Sequence, residues 1–322
     1  MKAITYYQFG SPDILRLEEI DKPTVKDDEV LIRVQAASVT PLDWHTLTGT
    51  PFLARLVIAG LFKPKHNILG NDIAGQVEAV GDNIKEFRPG DEVFGTSFSF
   101  GGYAEFLSVH KDQVLLVPKP LNISFEEAAV VPNAAYTALT CLRDLGQIQP
   151  GQRVLLNGAS GGVGTFAVQI AKADGAEVTG VCSTKNMDLV RSLGADRVID
   201  YTKEDFTQDE EQYDLIFDVS AMSKFSDCKR VFTPNGTYVT SAFSPGLMLQ
   251  GKWVTMTSNQ RMEPLSMKRP DKNSFLALKE LLETEKIKPV IDKRYKLSEV
   301  AEALKYMGEG HTRGKIVVNI KG

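Results

Sequence analysis

Gly158, Gly161 and Gly164 stand three residues apart in Arg153-Val-Leu-Leu-Asn-Gly158-Ala-Ser-Gly161-Gly162-Val-Gly164. The chemistry this spacing offers is anion binding by backbone. One glycine permits a tight turn, one lets N–H groups approach phosphate oxygens, and one lets a following helix pack closely on the preceding strand. For that to work, a strand must end at the turn and a helix must begin there. The short apolar run 154–156 suits a buried parallel strand. Apolar residues at Val163, Phe166, Ala167, Ile170 and Ala171 follow helical spacing, and Gly175 supplies a left-handed stop. The next apolar run, 177–182, predicts a second parallel strand and a right-handed βαβ unit. The turn residues Gly158, Ala159, Ser160, Gly161, Gly162, Val163 and Gly164 are therefore candidates for holding a dinucleotide pyrophosphate against the positive end of the helix dipole. A strand-to-helix turn that binds nothing is the competing reading, and the βαβ context weighs against it.

The second strand's end bears on which dinucleotide. Folds that take NAD usually place an acid about 20 residues on, against the ribose 2′-hydroxyl. At that distance from Gly164 stands Ser183, in Val181-Cys-Ser183-Thr184-Lys185-Asn186, with neither Asp nor Glu. Two hydroxyls and an ammonium suit a 2′-phosphate, which a carboxylate would repel. NADPH is the expected cofactor, with Ser183 and Lys185 as its phosphate contacts; a solvated lysine at a helix start is the plainer reading of Lys185.

The chain around this unit has 322 residues, a net charge of −4, 43% hydrophobic and 24% charged residues. That length accommodates two domains. No basic concentration points to nucleic acid. Cys141, Cys182 and Cys228 are odd in number and form no CxxC pair, which predicts free thiols in a reducing compartment. The chain opens on strand-like residues, so no leader is expected and the cytoplasm is the expected compartment. The apolar stretch 52–62 contains Arg55 and is too short to span a bilayer; it reads as a pocket lid or core ahead of membrane contact, and an integral membrane protein is not expected.

Residues 1–123 alternate apolar and polar positions between Gly, Pro and Asp turns, predicting a mostly antiparallel β domain. Ser124-Phe-Glu-Glu127 is a capping box, predicted to open a helix running to Leu145. Strands near 153–157, 178–182, 197–199, 214–218 and 237–241 alternate with helical segments, which argues for a doubly wound parallel sheet. Helices over 273–285 and 298–307 and a strand over 315–319 close the chain. The expected domains are 124–264, the dinucleotide-binding unit, inserted into a domain made of 1–123 and 265–322.

Several further segments support a family resemblance. They are Met1-Lys-Ala…Phe9-Gly-Ser-Pro-Asp13, Ala36-Ala-Ser-Val-Thr-Pro-Leu-Asp-Trp44, Leu69-Gly-Asn-Asp-Ile-Ala-Gly75, Arg88-Pro-Gly-Asp-Glu-Val93, Gly102-Tyr-Ala-Glu-Phe106 and Gly310-His-Thr-Arg-Gly-Lys-Ile-Val-Val318. In this order, with the glycine turn, the chain resembles the medium-chain dehydrogenase/reductase superfamily over essentially its full length. The zinc-free quinone oxidoreductase-like branch resembles it most. The resemblance implies an α/β fold with a Rossmann sheet, a GroES-like β domain, substrate held between them, and a homodimer. Where zinc-dependent members place a Cys ligand, this chain has Ser38; their Gly-His-Glu motif corresponds to Gly70-Asn71-Asp72. Serine and asparagine do not replace thiolate and imidazole, so no metal is expected.

Without a Lewis acid, an alcohol is a poor substrate, whereas a quinone or an α,β-unsaturated carbonyl already accepts hydride readily. The expected function is therefore NADPH-dependent reduction of such a hydrophobic electrophile. A zinc-independent alcohol or aldehyde dehydrogenase and a non-catalytic NADPH-binding sensor remain the alternatives. The resemblance also assigns residues. Tyr201 matches a tyrosine beside the adenosine phosphate, Asn133 and Thr137 a helix facing the nicotinamide, and Arg313 a late cofactor-side arginine. Relatives carry Asn-x-x-Asp in the first loop; here it is Thr40-Pro-Leu-Asp43. Thr40, Asp43 and His45 are the candidate catalytic residues, with Asp43 reading as a loop-fixing residue ahead of a chemical one. Trp44, Phe52, Leu56, Phe98 and Phe100 are candidate pocket or core residues.

Overall fold

Alternating residues in the first third of the chain build strands with one face in a core. The computed structural model describes all residues except 53, 54, 56–58, 243, 267, 268 and 322. Leu56 and four other residues of the proposed lid lie outside the described residues. The chain divides into two compact units. The first comprises Met1–Asn133, Pro270–Glu283 and Pro289–Gly322; the second comprises Ala134–Arg269 and Thr284–Lys288.

The first unit begins with β1 (Lys2–Thr5) and β2 (Arg16–Glu19), an antiparallel pair. β3 (Glu29–Val39) then leads into helix α1 (Pro41–Thr48). β4 (Asp72–Val80), β5 (Glu92–Ser97), β6 (Phe106–His110) and β7 (Val114–Pro118) follow. β3 pairs antiparallel with both β4 and β6, β4 with β5, and β5 with β7. Ile32, Ile73, Leu69 and Phe100 are buried in the core these strands enclose. Phe100 is therefore a core residue, its ring 5.3 Å from that of His66.

The single helix expected over 124–145 is instead interrupted. The Ser124 capping box opens only α2 (Phe125–Ala129). α3 (Pro132–Leu139) starts afresh and passes into a π-helical turn, Thr140–Leu145. Pro132 explains the break, because it has no N–H to donate and disfavours helical backbone at Val131.

The second unit holds β8 (Arg153–Asn157), α4 (Gly162–Ala173), β9 (Glu177–Cys182), α5 (Met187–Ser192), β10 (Arg197–Asp200) and β11 (Tyr213–Asp218). β12 (Phe232–Thr240), α6 (Pro245–Thr257) and β13 (Arg261–Pro264) complete it. Among the described residues the sheet order is β10-β9-β8-β11-β12-β13, every pair parallel. Strand order therefore reverses between β8 and β11. At such a switch point a crevice opens beyond the carboxyl ends of the strands, where ligands of open α/β sheets bind. β13 and α6 were not evident in the sequence: Arg-Met-Glu-Pro carries little strand signal.

The chain then supplies α7 (Lys272–Glu283), β14 (Ile291–Lys296), α8 (Val300–Gly308) and β15 (Lys315–Asn319) to the first unit. β15 joins β3 antiparallel, with Val317 opposite Ser38, and β14 joins β15. Among the described residues no helix is long and apolar enough to cross a membrane. The three cysteines are free and buried.

Candidate functional site

The glycine turn lies where β8 ends, at the switch point. Gly158 has φ +95°, a conformation that side chains other than glycine rarely adopt. Its N–H and that of Ala159 both donate to the Val181 carbonyl, at 3.1 and 3.0 Å, which ties the turn to β9. A Cβ built on Gly164 would stand 2.1 Å from the Gly158 oxygen, so α4 packs on the turn only because position 164 has none. A Cβ on Gly161 would meet nothing closer than that same oxygen, at 3.6 Å. The space there is open. Gly161 is also the N-cap of α4, and no side chain caps the helix. Thr40, Ser124 and Ser244 do cap their helices. The first N–H groups of α4 are thus left for a ligand, with the helix dipole behind them.

Beside the turn, β9 ends at Cys182 and the chain passes through Ser183, Thr184 and Lys185. Tyr201 N–H donates to the Cys182 carbonyl at 3.1 Å, which brings the 61%-exposed Tyr201 to the same strand end. Lys185 is exposed and Ser183 half-buried. Thr184 is already engaged, its hydroxyl donating to Asp200 at 2.5 Å. That bond and those from Thr202 hold the Asp200 carboxyl down to about 2. Of the two hydroxyls read from the sequence, Thr184 therefore serves Asp200 and Ser183 is the one left for a ligand. The carboxylate here belongs to β10 and is occupied by threonines.

A polar row crosses the ends of β8, β11 and β12, where Asn157, Asp218 and Thr240 stand in register. Asn157 Nδ2 donates to Asp218, Ser220 and Ser223 at 2.9, 2.9 and 3.1 Å. Asp218 also accepts from Ser220 Oγ, Ser223 N–H and Tyr238 O–H. This network fixes the β11 loop against Gly158, and Ala221 in that loop has φ +56°.

In the first unit, the first-loop residues join a second buried network. Thr40 N–H and Oγ1 donate to Asp43 Oδ2 at 2.9 and 2.8 Å, and Gly70 N–H donates to Oδ1 at 2.8 Å. Thr40 and Asp43 form a capping box that starts α1. Thr40 Oγ1 also lies 2.8 Å from Asn71 Oδ1. Asn71 Nδ2 donates to Asp72 at 3.1 Å, and Asp72 accepts from Ser38 Oγ at 3.4 Å and Asn133 N–H at 3.0 Å. Burial pushes the Asp72 carboxyl up to about 6, against partial relief from the charge on Lys315. Burial likewise raises Asp43 and lowers Lys315, whose ammonium donates to the Val39 carbonyl at 3.1 Å. Both Asp43 oxygens are thus spent on the loop. His45 is exposed, its Nδ1 2.6 Å from the Thr50 carbonyl.

Residues 26–119 match the alcohol dehydrogenase GroES-like domain and residues 193–318 the zinc-binding dehydrogenase domain. The chain is 35% identical to the 2-methylene-furan-3-one reductase of Solanum lycopersicum, over 99% of this chain and 79% of that protein. It is 34% identical to the NADPH-dependent alkenal/one oxidoreductase of Arabidopsis thaliana, with the same coverage. The quinone oxidoreductase structure from Coxiella burnetii superposes with a TM-score of 0.86 at 29% identity, covering 100% of this chain and 99% of that one. The chain belongs to the medium-chain dehydrogenase/reductase superfamily. Within it, the chain falls in the quinone oxidoreductase-like branch.

A dinucleotide of the kind this superfamily uses fits the second unit: the uncapped α4, the open space at Gly161 and the Cβ-free contact at Gly164 form a cradle for pyrophosphate. The second unit brings Gly158–Gly164, Ser183, Lys185 and Tyr201 together and also contains Thr137, half-buried on α3. The first unit contains Thr40, Asp43, His45, Asn133 and Arg313; Arg313 is exposed, its N–H donating to Asp292. Zinc does not fit Ser38, Asn71 and Asp72, a hydroxyl, an amide and a carboxylate bonded to one another. Among the described residues, no group of three or more His, Cys, Asp or Glu side chains is placed to hold a metal ion.

Sequence reasoning did not single out Asn157, Asp218, Asn71 or Lys315 as site residues. A signal was present: Asn157 and Asp218 each end an apolar strand in a polar residue, and Lys315 opens one.

Proposed function

We propose that the protein is an NADPH-dependent, zinc-independent reductase of quinones or α,β-unsaturated carbonyls. The observation that carries the cofactor choice is the end of β9, where Ser183 and the free ammonium of Lys185 take the place of the acid that binds a ribose 2′-hydroxyl. A divalent phosphate is favoured there by charge and by hydroxyl donation. The names of the tomato and Arabidopsis relatives, a furanone reductase and an alkenal/one oxidoreductase, support the acceptor class.

When bound, the nicotinamide supplies a hydride, and the acceptor's conjugated oxygen takes up the charge. The chain's own residues bind and orient. The α4 amides and Ser160 hold the pyrophosphate, and Ser183, Lys185 and Tyr201 hold the adenosine phosphate. Asn133 and Thr137 are proposed at the nicotinamide side, and Arg313 as a further cofactor-side residue. Thr40, the expected hydroxyl at the acceptor, is buried with its one hydrogen committed to Asp43 and the Asn71 oxygen, so its proposed role is to hold the first loop. His45 is the proposed proton source, with solvent equally able to supply it. An acceptor polarised by conjugation needs position and hydrogen bonds more than a Lewis acid.

A homodimer is proposed as well. Leu249, Trp253 and Met256 lie at helical spacing on α6 and are 69%, 67% and 85% exposed, an apolar stripe that suits a second copy. Sedimentation of wild type against Trp253→Glu tests it. The buried free thiols favour a reducing compartment, and the cytoplasm is the proposed one.

The deciding experiment is stopped-flow oxidation of NADPH, and of NADH beside it, with a simple quinone, a conjugated enal and a saturated aldehyde. Turnover of quinone or enal with NADPH is expected. Oxidation by the saturated aldehyde alone would replace the proposal with an alcohol dehydrogenase. Binding without turnover would replace it with a sensor.

A further inference from the structure

Asn186 is 6% exposed and sits at the N-cap of α5, yet its side chain does not cap that helix. Instead Nδ2 donates to Ser160 Oγ at 3.0 Å and to Ser183 Oγ at 3.3 Å. Its Oδ1 is buried with no hydrogen-bond partner. The opposite amide orientation would leave both N–H groups unpaired, a larger loss than one oxygen. The amide therefore gives up a capping bond, and tolerates an orphaned acceptor, to donate into two hydroxyl oxygens.

Those two hydroxyls belong to different parts of the site. Ser160 is in the glycine turn after β8; Ser183 follows β9. A hydroxyl whose oxygen accepts from an amide has its hydrogen directed elsewhere. We infer that Asn186 is a positioning residue for cofactor selectivity: by donating to Ser160 and Ser183 together, it turns both O–H groups outward as donors to phosphate. Ser160 then serves the pyrophosphate common to both nicotinamide dinucleotides, and Ser183 the 2′-phosphate of NADPH alone. The inference rests on the proposed NADPH reading. It adds that selectivity depends on a buried residue that touches no phosphate.

The test is fluorescence titration of the full-length protein with NADPH and with NADH, for wild type, Asn186→Asp, Asn186→Ala and Ser183→Ala, and for the Asn186→Ala/Ser183→Ala pair. A carboxylate at 186 accepts from both serines and turns their hydrogens inward. Losing one charge-assisted bond weakens binding roughly 10- to 100-fold. Asn186→Asp is therefore expected to lower the NADPH-to-NADH affinity ratio by about tenfold, because only NADPH loses the Ser183 bond. Asn186→Ala lowers the ratio less, and in the Ser183→Ala background it leaves the ratio unchanged, since the partner is gone. This second arm holds even where the aspartate variant folds poorly. A merely structural Asn186 would weaken both cofactors equally and keep the ratio; that result overturns the inference. Wild type binding NADPH no better than NADH overturns the cofactor reading and this inference with it. A wild-type preference that survives Asn186→Asp overturns the inference alone.

Discussion

The three glycines of the turn divide their work between fold and ligand, and two single-methyl substitutions separate the two roles. In Gly164→Ala the new Cβ would stand 2.1 Å from the Gly158 carbonyl oxygen, 2.7 Å from the Ala159 carbonyl carbon and 2.8 Å from its Cα. Carbon and carbonyl oxygen in contact lie about 3.3 Å apart, so the start of α4 has to retreat by about 1 Å. All three obstructing atoms are backbone, and no side chain can swing aside. Overpacking of this kind costs up to about 3 kcal/mol. Alanine's better helix propensity offsets about 1 kcal/mol, which leaves a net loss of about 2 kcal/mol. For a unit of this size, that lowers the melting midpoint by roughly 5–10 °C. Gly161→Ala is the control. Its Cβ meets only an ordinary contact, and the residue's φ of −81° is open to alanine, so stability changes by less than about 0.5 kcal/mol. The methyl instead fills the space before the uncapped helix, and NADPH affinity falls on the order of tenfold or more. Thermal melts give one axis and fluorescence titration the other. Gly164→Ala melting with wild type, or Gly161→Ala losing stability while keeping affinity, would refute this division.

Lys185→Ala is expected to weaken NADPH about tenfold and NADH hardly at all, as read by titration of both; equal losses would remove the charge argument. Ala221→Gly, at φ +56°, should raise stability by about 0.5–1 kcal/mol in denaturant unfolding, because glycine relieves a left-handed conformation costly to alanine. Asp72 is protonated more readily in the folded chain, at about 6, than in the unfolded chain, at 3.8. Stability present at low pH is therefore lost as pH rises through 6, by up to about 3 kcal/mol, and comparing unfolding midpoints from pH 4 to 7.5 with Asp72→Asn should isolate that slope. Gly161→Asp should abolish cofactor binding by adding both bulk and charge at the pyrophosphate, which direct titration checks.

What could be read from the chain follows physical periodicity. The strand–glycine–helix unit was legible because its parallel strands are buried on both faces and its helix is apolar at 3.6-residue spacing. β15 was legible for the same reason: Ile316, Val317 and Val318 form an unbroken apolar run. β14, Ile-Asp-Lys-Arg-Tyr-Lys, was not, since it is a sheet-edge strand with no buried residue. The break at Pro132 could have been foreseen, because proline cannot continue the helix that the Ser124 capping box starts. The site divides in the same way. Gly158–Gly164 and Ser183 follow from spacing alone. Asn186 does not, since its position at a helix start suggests a cap, and only the third dimension shows the amide facing two serines from separate loops. The commitment of Thr184 to Asp200 is likewise a tertiary fact, joining residues 16 apart at the ends of neighbouring strands.

The pairing of β15 with β3 sets an order of events during synthesis. The Lys315 ammonium reaches the Val39 carbonyl across 276 residues of sequence. At about 5–20 residues per second, β3 waits on the order of 15–60 s for that neighbour to be made. Nearly all of the dinucleotide-binding unit, a continuous run from Ala134 to Arg269, leaves the ribosome within that interval. It is free to fold while the older strand still has an open edge. The part of the protein translated first is thus among the last to be finished, and the exposed flank of β3 is where a nascent chain is most open to mispairing or to chaperone capture.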